Sequence, residues 1–234
     1  MTDIKTVFLD IDDTLWWFSR NSIVALRHVY DKFDIARWSS DYESFRSIYV
    51  AKNRELWIQY HYGKIATDYL LNERFRYTLR EIGCDVDIDA LARAMNVEYL
   101  SFLSTLKEIV PGSKQLLEYL NERGYDVNVL SNGFPRVQTG KLRSGGLDGY
   151  IHHMVLSDDC GVTKPLRGIF DYALEVCGAD VDSTVMIGDN ADADIRGAHE
   201  AGWKTIYFNI NNVDIDDALA DVTVNSLLEI KNIL

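Results

Sequence analysis

Val7-Phe8-Leu9-Asp10-Ile11-Asp12-Asp13-Thr14-Leu15 decides the reading of this chain. Three apolar residues run directly into acid. A short apolar run of this kind is read as a strand buried on both faces, the usual state of a strand in a parallel sheet. Open α/β sheets bind ligands just beyond the carboxyl ends of their strands. Asp10 and Asp12 stand at that edge, two residues apart, and side chains two apart on an extended chain share a face. Their carboxylates can converge on one point, where they repel unless a cation or a proton intervenes. An Asp-rich turn after a strand is also common, so the stretch gains meaning from what lies further along.

The chain has 234 residues, enough for one large domain or two smaller ones. Its 47% apolar content is that of a globular protein. A net charge of −12 argues against an extended nucleic-acid surface, which needs clustered Lys and Arg. No apolar run is long enough to cross a bilayer, and Met1-Thr2-Asp3-Ile4-Lys5 does not read as a signal peptide. Cys84, Cys160 and Cys177 are isolated and odd in number, which suits a reducing cytosol. The expectation is a cytoplasmic protein, monomer or homodimer, with neither a nucleic-acid polymer nor a membrane as partner.

From Trp16 to about Lys107 only helical periodicity is visible. Ser40 and Glu43 form a capping-box signature ahead of Tyr42, Phe45, Ile48 and Tyr49. Leu71, Phe75, Thr78 and Ile82 mark a second stripe. Ile88, Leu91, Ala92, Met95, Tyr99, Phe102 and Leu106 mark a third. The spacing predicts about four helices in this region. After Pro111-Gly112, strands and helices alternate. Strands are expected at Val127 to Leu130, Met154 to Leu156, Val185 to Ile187 and Thr205 to Phe208, with an edge strand at Val222 to Val224 and a terminal helix capped by Ser226 and Glu229. Such alternation predicts a doubly wound parallel sheet. The expected division is an α/β core at 1–15 and 108–234, with residues 16–107 as a helical insert. An insert directly after the first strand lies where a lid would.

Four of the expected strands end in, or are followed by, a chemically useful group. The first gives Asp10 and Asp12, the second Ser131-Asn132-Gly133. Lys164-Pro165 follows the third, and the fourth ends in Gly188-Asp189, with Asp192 and Asp194 close behind. Taken singly, each has an ordinary structural reading: a turn, a surface lysine, acids favouring a helix N-terminus. Jointly they put carboxylates, a hydroxyl and an ammonium on one sheet edge.

The order Asp-x-Asp-x-Thr, strand-Ser, Lys-Pro and Gly-Asp-x-x-x-x-Asp resembles the haloacid dehalogenase (HAD) superfamily in its phosphatase branch. The resemblance covers the core, about three fifths of the chain, and implies a Rossmann-like α/β fold with the insert as cap domain. It implies a Mg²⁺-dependent phosphomonoester hydrolase acting through an aspartyl-phosphate intermediate. Asp10 would be the nucleophile and Asp12 the acid, then the base. Ser131 and Asn132 would bind the phosphate, and Lys164 would hold Asp10 and stabilise the transferring group. Asp10, the carbonyl of Asp12 and Asp189 would ligate the metal, with Asp194 in its outer shell. The electrostatics explain such a set. A carboxylate facing a phosphate dianion at 4 Å costs about 8 kcal/mol at an effective dielectric near 20. A divalent cation and a lysine cancel most of it. Dehalogenase relatives lack an aspartate at the place of Asp12, because halide leaves without a proton. Asn190 departs from the Ser or Thr often found there, and can make similar hydrogen bonds.

Ser131-Asn132-Gly133-Phe134 with Gln138, Lys141, Leu142 and Gly146-Leu147 is similar to the branch that cleaves pyrimidine nucleoside monophosphates, as is Trp57-x-x-Tyr60-x-x-Gly63. Trp16, Trp17 and Phe18 directly follow the acidic stretch, and some of them are expected to face the cleft and stack on a base. A small phosphorylated metabolite is the expected partner: nucleoside 5′-monophosphates first, small sugar phosphates or phosphoglycolate second. A dehalogenase, and a phosphoacceptor or metal-binding regulatory module without turnover, remain as rivals.

Overall fold

The structure is a computed structural model that describes residues 1, 3–39, 41–213 and 219–234. The chain divides into two compact units, Met1–Ser19 with Lys107–Leu234, and Arg20–Leu106. Trp16, Trp17 and Phe18, expected in the insert, group with the first unit.

The first unit is built on a six-stranded, all-parallel sheet: β1 (Thr6–Leu9), β2 (Asp126–Ser131), β3 (His153–Leu156), β4 (Thr184–Gly188), β5 (Lys204–Phe208) and β6 (Val222–Val224). The spatial order is β3-β2-β1-β4-β5-β6. The chain adds strands on one side of β1, then crosses to the other, so the topological switch lies beside β1. All four residues of β1 are buried, which is why it reads as an uninterrupted apolar run.

Helices in this unit are α5 (Ser113–Glu122), α6 (Pro135–Gly145), the short α7 (Ser157–Cys160), α8 (Arg167–Cys177) and α9 (Gly197–Glu200). Phe8 and Met186 pack with Ile169, Phe170 and Ala173 of α8, Ala198 of α9 and Trp203. The Trp203 ring lies 4.8 Å from Phe8 and 5.3 Å from Phe170. The terminal helix differs from expectation. Leu227–Asn232 is a 3₁₀ segment, and Ser226 Oγ accepts from Leu228 N rather than closing a box with Glu229.

The second unit holds α2 (Tyr42–His61), α3 (Thr67–Glu81), α4 (Ile88–Leu103) and nearly all of α1 (Phe18–Lys32). Asp41 caps α2, its Oδ1 accepting from Ser44 N at 2.8 Å. Ser40, expected in that role, lies outside the described residues. The core centres on the rings of Tyr49, Phe75 and Tyr99. The buried face of α3 is rotated from the expected stripe, with Leu70 inside in place of Leu71 and with Glu73 and Arg74 buried too. Their partners explain the shift: Arg74 donates to Asn96 and Asn53, and Glu73 pairs with Arg76 and Arg80. Polar residues that satisfy one another can occupy an interior face that apolar periodicity does not register. Among the described residues no helix is long and apolar enough to cross a membrane.

Candidate active site

The turn after β1 is held by its own backbone. Leu15 N and Trp16 N both donate to Ile11 O, and Asp13 N donates to Trp16 O. Asp13 takes a left-handed conformation (φ 57°), which aspartate tolerates better than most residues. Its Oδ1 accepts from Ser19 N at 2.8 Å, so Asp13 serves the turn, and burial raises its carboxyl above the usual range.

Asp10, at the end of β1, is bound through one oxygen. Lys164 Nζ donates to Asp10 Oδ1 at 2.8 Å, to Asp194 Oδ1 at 2.6 Å and to Leu130 O at 2.6 Å. These three bonds use every proton of the ammonium. Asp10 Oδ2 has no hydrogen bond among the described residues. The nucleophile expected from sequence therefore keeps one free oxygen while the other is pinned. Lys164 is itself aimed by Asn132, whose Nδ2 donates to Lys164 O and whose Oδ1 accepts from Lys164 N, both at 2.8 Å. Asn132, expected to bind phosphate, thus has both ends of its side-chain amide bonded to the Lys164 backbone.

Ser131 Oγ accepts from Gly133 N at 3.2 Å and from Gln138 Nε2 at 2.7 Å. Two donors occupy its lone pairs, so its own proton is left to give away.

Asp189, just after β4, is oriented by Thr14. The Thr14 hydroxyl accepts from Asp189 N at 3.1 Å and donates to Asp189 Oδ1 at 3.3 Å. Thr14 is fully buried, and its role was not read from sequence. Asp194 lies on the π-helical turn Ala191–Arg196, where Asn190 Oδ1 caps Asp192 N and Ala193 N. The hydrogen bonding expected of Asn190 is thus present. Asp194 Oδ2 accepts from Asn190 N at 3.1 Å, and Gly188 carries no Cβ that would strike that carboxylate. Asp192 is not brought to the site; it pairs with Arg196.

One carboxylate oxygen from each of Asp10, Asp189 and Asp194 lies within 4.8 Å of the other two. Burial, opposed by Lys164 and reinforced by Asp194 and Asp12, pushes the Asp10 carboxyl up to about 7. Burial together with Asp194, Asp10 and Asp13 raises Asp189 well above the usual carboxylate range. For Lys164, burial works against the ammonium, but Asp10 and Asp194 outweigh it and hold its pKa above the ordinary value. Three carboxylates against one ammonium leave a formal charge of −2. An all-oxygen donor set with that excess, two of its residues buried and Asp189 half-buried, fits a hard divalent cation.

Asp12 makes contacts that sequence reading missed. Lys141 Nζ reaches Asp12 Oδ1 at 2.6 Å and Oδ2 at 2.9 Å, and Gln138 Nε2 reaches Oδ2 at 3.1 Å. Both residues lie on α6, which starts just after the Ser131 loop. A signal was present: Gln138 and Lys141 are three apart, hence neighbours on one helix face. Trp16 corrects another expectation. It is 0% exposed and cannot stack on a ligand, because its backbone forms the turn and its ring lies beneath Lys141 Nζ, 5.1 Å from the centroid. Trp17 and Phe18 are half-buried.

Comparison with known proteins agrees with this geometry. The pyrimidine 5′-nucleotidase YjjG of Escherichia coli (strain K12) is 30% identical over 237 residues, spanning 97% of this chain and 96% of that protein. The pyrimidine 5′-nucleotidase PynA of Streptococcus pneumoniae (strain ATCC BAA-255 / R6) is 30% identical over 211 residues, 90% of this chain and 86% of that one. The crystal structure of the Bacillus subtilis HAD-hydrolase YfnB, bound to magnesium, superposes with a TM-score of 0.89 at 27% identity, covering 100% of this chain and 99% of that one. The model of the haloacid dehalogenase-like hydrolases matches residues 4–202. With its parallel sheet and its acids at the ends of β1 and β4, this chain belongs to the haloacid dehalogenase-like hydrolases.

Proposed function

We propose that the protein hydrolyses phosphate monoesters through an aspartyl-phosphate on Asp10, and that its substrates are nucleoside 5′-monophosphates. The observation that carries the chemistry is the asymmetry of Asp10: Oδ1 held by Lys164, Oδ2 free. Mg²⁺ would be held by Asp10, Asp189 and the backbone carbonyl of Asp12, with Asp194 supporting from its bonds to Lys164 and Asn190. It would neutralise the phosphate's charge and polarise the phosphoryl group. Asp10 Oδ2 attacks phosphorus. Ser131 donates its hydroxyl proton to a phosphoryl oxygen, and Lys164 keeps the attacking carboxylate ionised and aimed. Asp12 protonates the departing alkoxide, then takes a proton from the water that cleaves the acyl phosphate. The need to protonate a leaving oxygen favours this reading over dehalogenation. The nucleotide preference rests on the likeness to the two pyrimidine 5′-nucleotidases. Trp17 and Phe18 supply aromatic surface beside the acidic stretch, and stacking on a base contributes about 1–3 kcal/mol.

Phosphate release from a panel tests the reading: uridine and thymidine 5′-monophosphates, small sugar phosphates, phosphoglycolate and a 2-haloacid. The expected result is phosphate release with kcat/KM highest for the pyrimidine nucleotides. Faster turnover of sugar phosphates overturns the substrate assignment. Halide release, or a phosphorylated protein that never turns over, overturns the hydrolytic one.

The metal is expected to act on stability as well as rate. EDTA should stop turnover and Mg²⁺ restore it. Asp10 and Asp189 bind protons more readily folded than unfolded. The Asp10 contribution to metal-free stability is therefore full below about pH 4 and is lost as pH rises through about 7, and that of Asp189 is likewise lost as pH rises above the usual carboxylate range. Mg²⁺ competes with those protons, so its rise in Tm should be larger at pH 8 than at pH 5. A Mg²⁺ shift that does not grow with pH counts against these ligands.

A further inference from the structure

Gln138 and Lys141 are 0% and 3% exposed on α6. Burying an amide and an ammonium on one helix face is costly unless both are matched. Their matches lead to two groups of the site. Lys141 Nζ bonds both oxygens of Asp12, at 2.6 and 2.9 Å, and sits 5.1 and 5.3 Å from the ring centroids of Trp16 and Phe18. Gln138 Nε2 bridges Asp12 Oδ2 at 3.1 Å and Ser131 Oγ at 2.7 Å. Gly133 leaves room for this bridge, since a Cβ there would collide with the Gln138 amide. Gln138 Oε1 has no hydrogen-bond partner among the described residues. Its amide is therefore oriented from the nitrogen end, by the acid and the serine.

We infer that Lys141 is a positioning residue that aims the Asp12 carboxyl at the leaving-group oxygen, with Gln138 setting Asp12 in register with Ser131. The inference rests on the phosphatase reading above. In the first half-reaction the bond from Asp10 Oδ2 to phosphorus forms. The bond from phosphorus to the leaving oxygen breaks, and the proton on Asp12 moves to that oxygen. In the second, water oxygen bonds phosphorus, the acyl phosphate bond breaks, and a water proton moves to Asp12. Both transfers need one Asp12 oxygen at a fixed place. The Asp12 side chain is 30% exposed, so the shape of the pocket alone does not restrain it. Lys141 grips both oxygens and so fixes the plane of the carboxyl, while the aromatic rings hold Lys141. The nucleophile and the acid are thus each served by a separate buried lysine.

Leaving-group dependence tests this. Uridine leaves its 5′-monophosphate as an alkoxide that needs a proton, whereas p-nitrophenolate leaves p-nitrophenyl phosphate without one. Lys141→Met keeps the stem and removes the ammonium. It is expected to lower kcat/KM for uridine 5′-monophosphate about 10²-fold, and for p-nitrophenyl phosphate by less than about tenfold. Lys141→Arg should restore nucleotide turnover to within about tenfold of the parent. Gln138→Leu reads the same link from its other end, with the same asymmetry at smaller size, should Lys141→Met not fold. Equal losses on the two esters, or no loss on either, in a parent that turns both over overturn the inference alone. A parent that hydrolyses neither overturns the phosphatase reading and this inference with it.

Discussion

Asp10→Asn is expected to fold as the parent does and to lose about 10⁴-fold or more in kcat, the scale of losing a covalent nucleophile. The amide has the shape of the carboxylate, and its Oδ1 can still accept from Lys164 Nζ. The atom at the position of Oδ2 becomes an NH₂, which carries no lone pair able to attack phosphorus. The substitution also removes one negative charge from a cluster that burial and neighbouring acids already disfavour. Metal-free stability at pH 8 should therefore hold or rise while turnover vanishes. Rapid acid quench with labelled substrate provides a second readout: the parent traps phosphate on protein and the variant traps none. Near-native turnover in Asp10→Asn would remove Asp10 as the nucleophile.

Lys164→Met is expected to fail in both respects. Lys164 is 2% exposed and is the cation common to Asp10 and Asp194, while also donating to Leu130 O. Deleting one partner of a buried ionic group leaves the others uncompensated and costs about 3–5 kcal/mol. The stranded groups here are carboxylates that protonation can neutralise. The loss in urea midpoint should consequently be larger at pH 8 than at pH 5, and Mg²⁺ should recover part of it. Turnover should fall with it, because Asp10 loses the group that keeps it ionised and aimed. An unchanged midpoint at pH 8 would show that the three bonds of Lys164 Nζ do not form in solution.

The two substitutions show where sequence reading was strong and where it was blind. Asp10 was legible because it closes an apolar run, and Asp189 because it follows another. Lys164 was legible only in company, since one lysine before a proline has no pattern of its own. Lys141 and Gln138 carry the same kinds of group, yet the sequence offers them only as part of a family likeness and gives no sign of their bonds to Asp12. A long polar side chain on an amphipathic helix looks the same whether it ends in water or on a carboxylate. Trp16 failed in the opposite direction. Proximity to the acidic stretch suggested a ligand surface, but the turn folds it inward.

The sequence by itself determined the doubly wound sheet and the edge on which the chemistry sits. Both follow from short uninterrupted apolar runs alternating with helical periodicity and from where those runs stop, which are local properties of the chain. The tertiary structure decided the pairings: Lys164 with Asp10 across 154 residues, and Lys141 with Asp12 across 129. It decided that Asp10 keeps one free oxygen and that the side-chain amide of Asn132 aims the Lys164 backbone. Which donor saturates which acceptor depends on distances of a few tenths of an ångström between segments far apart in the chain. Residue order carries no record of those distances.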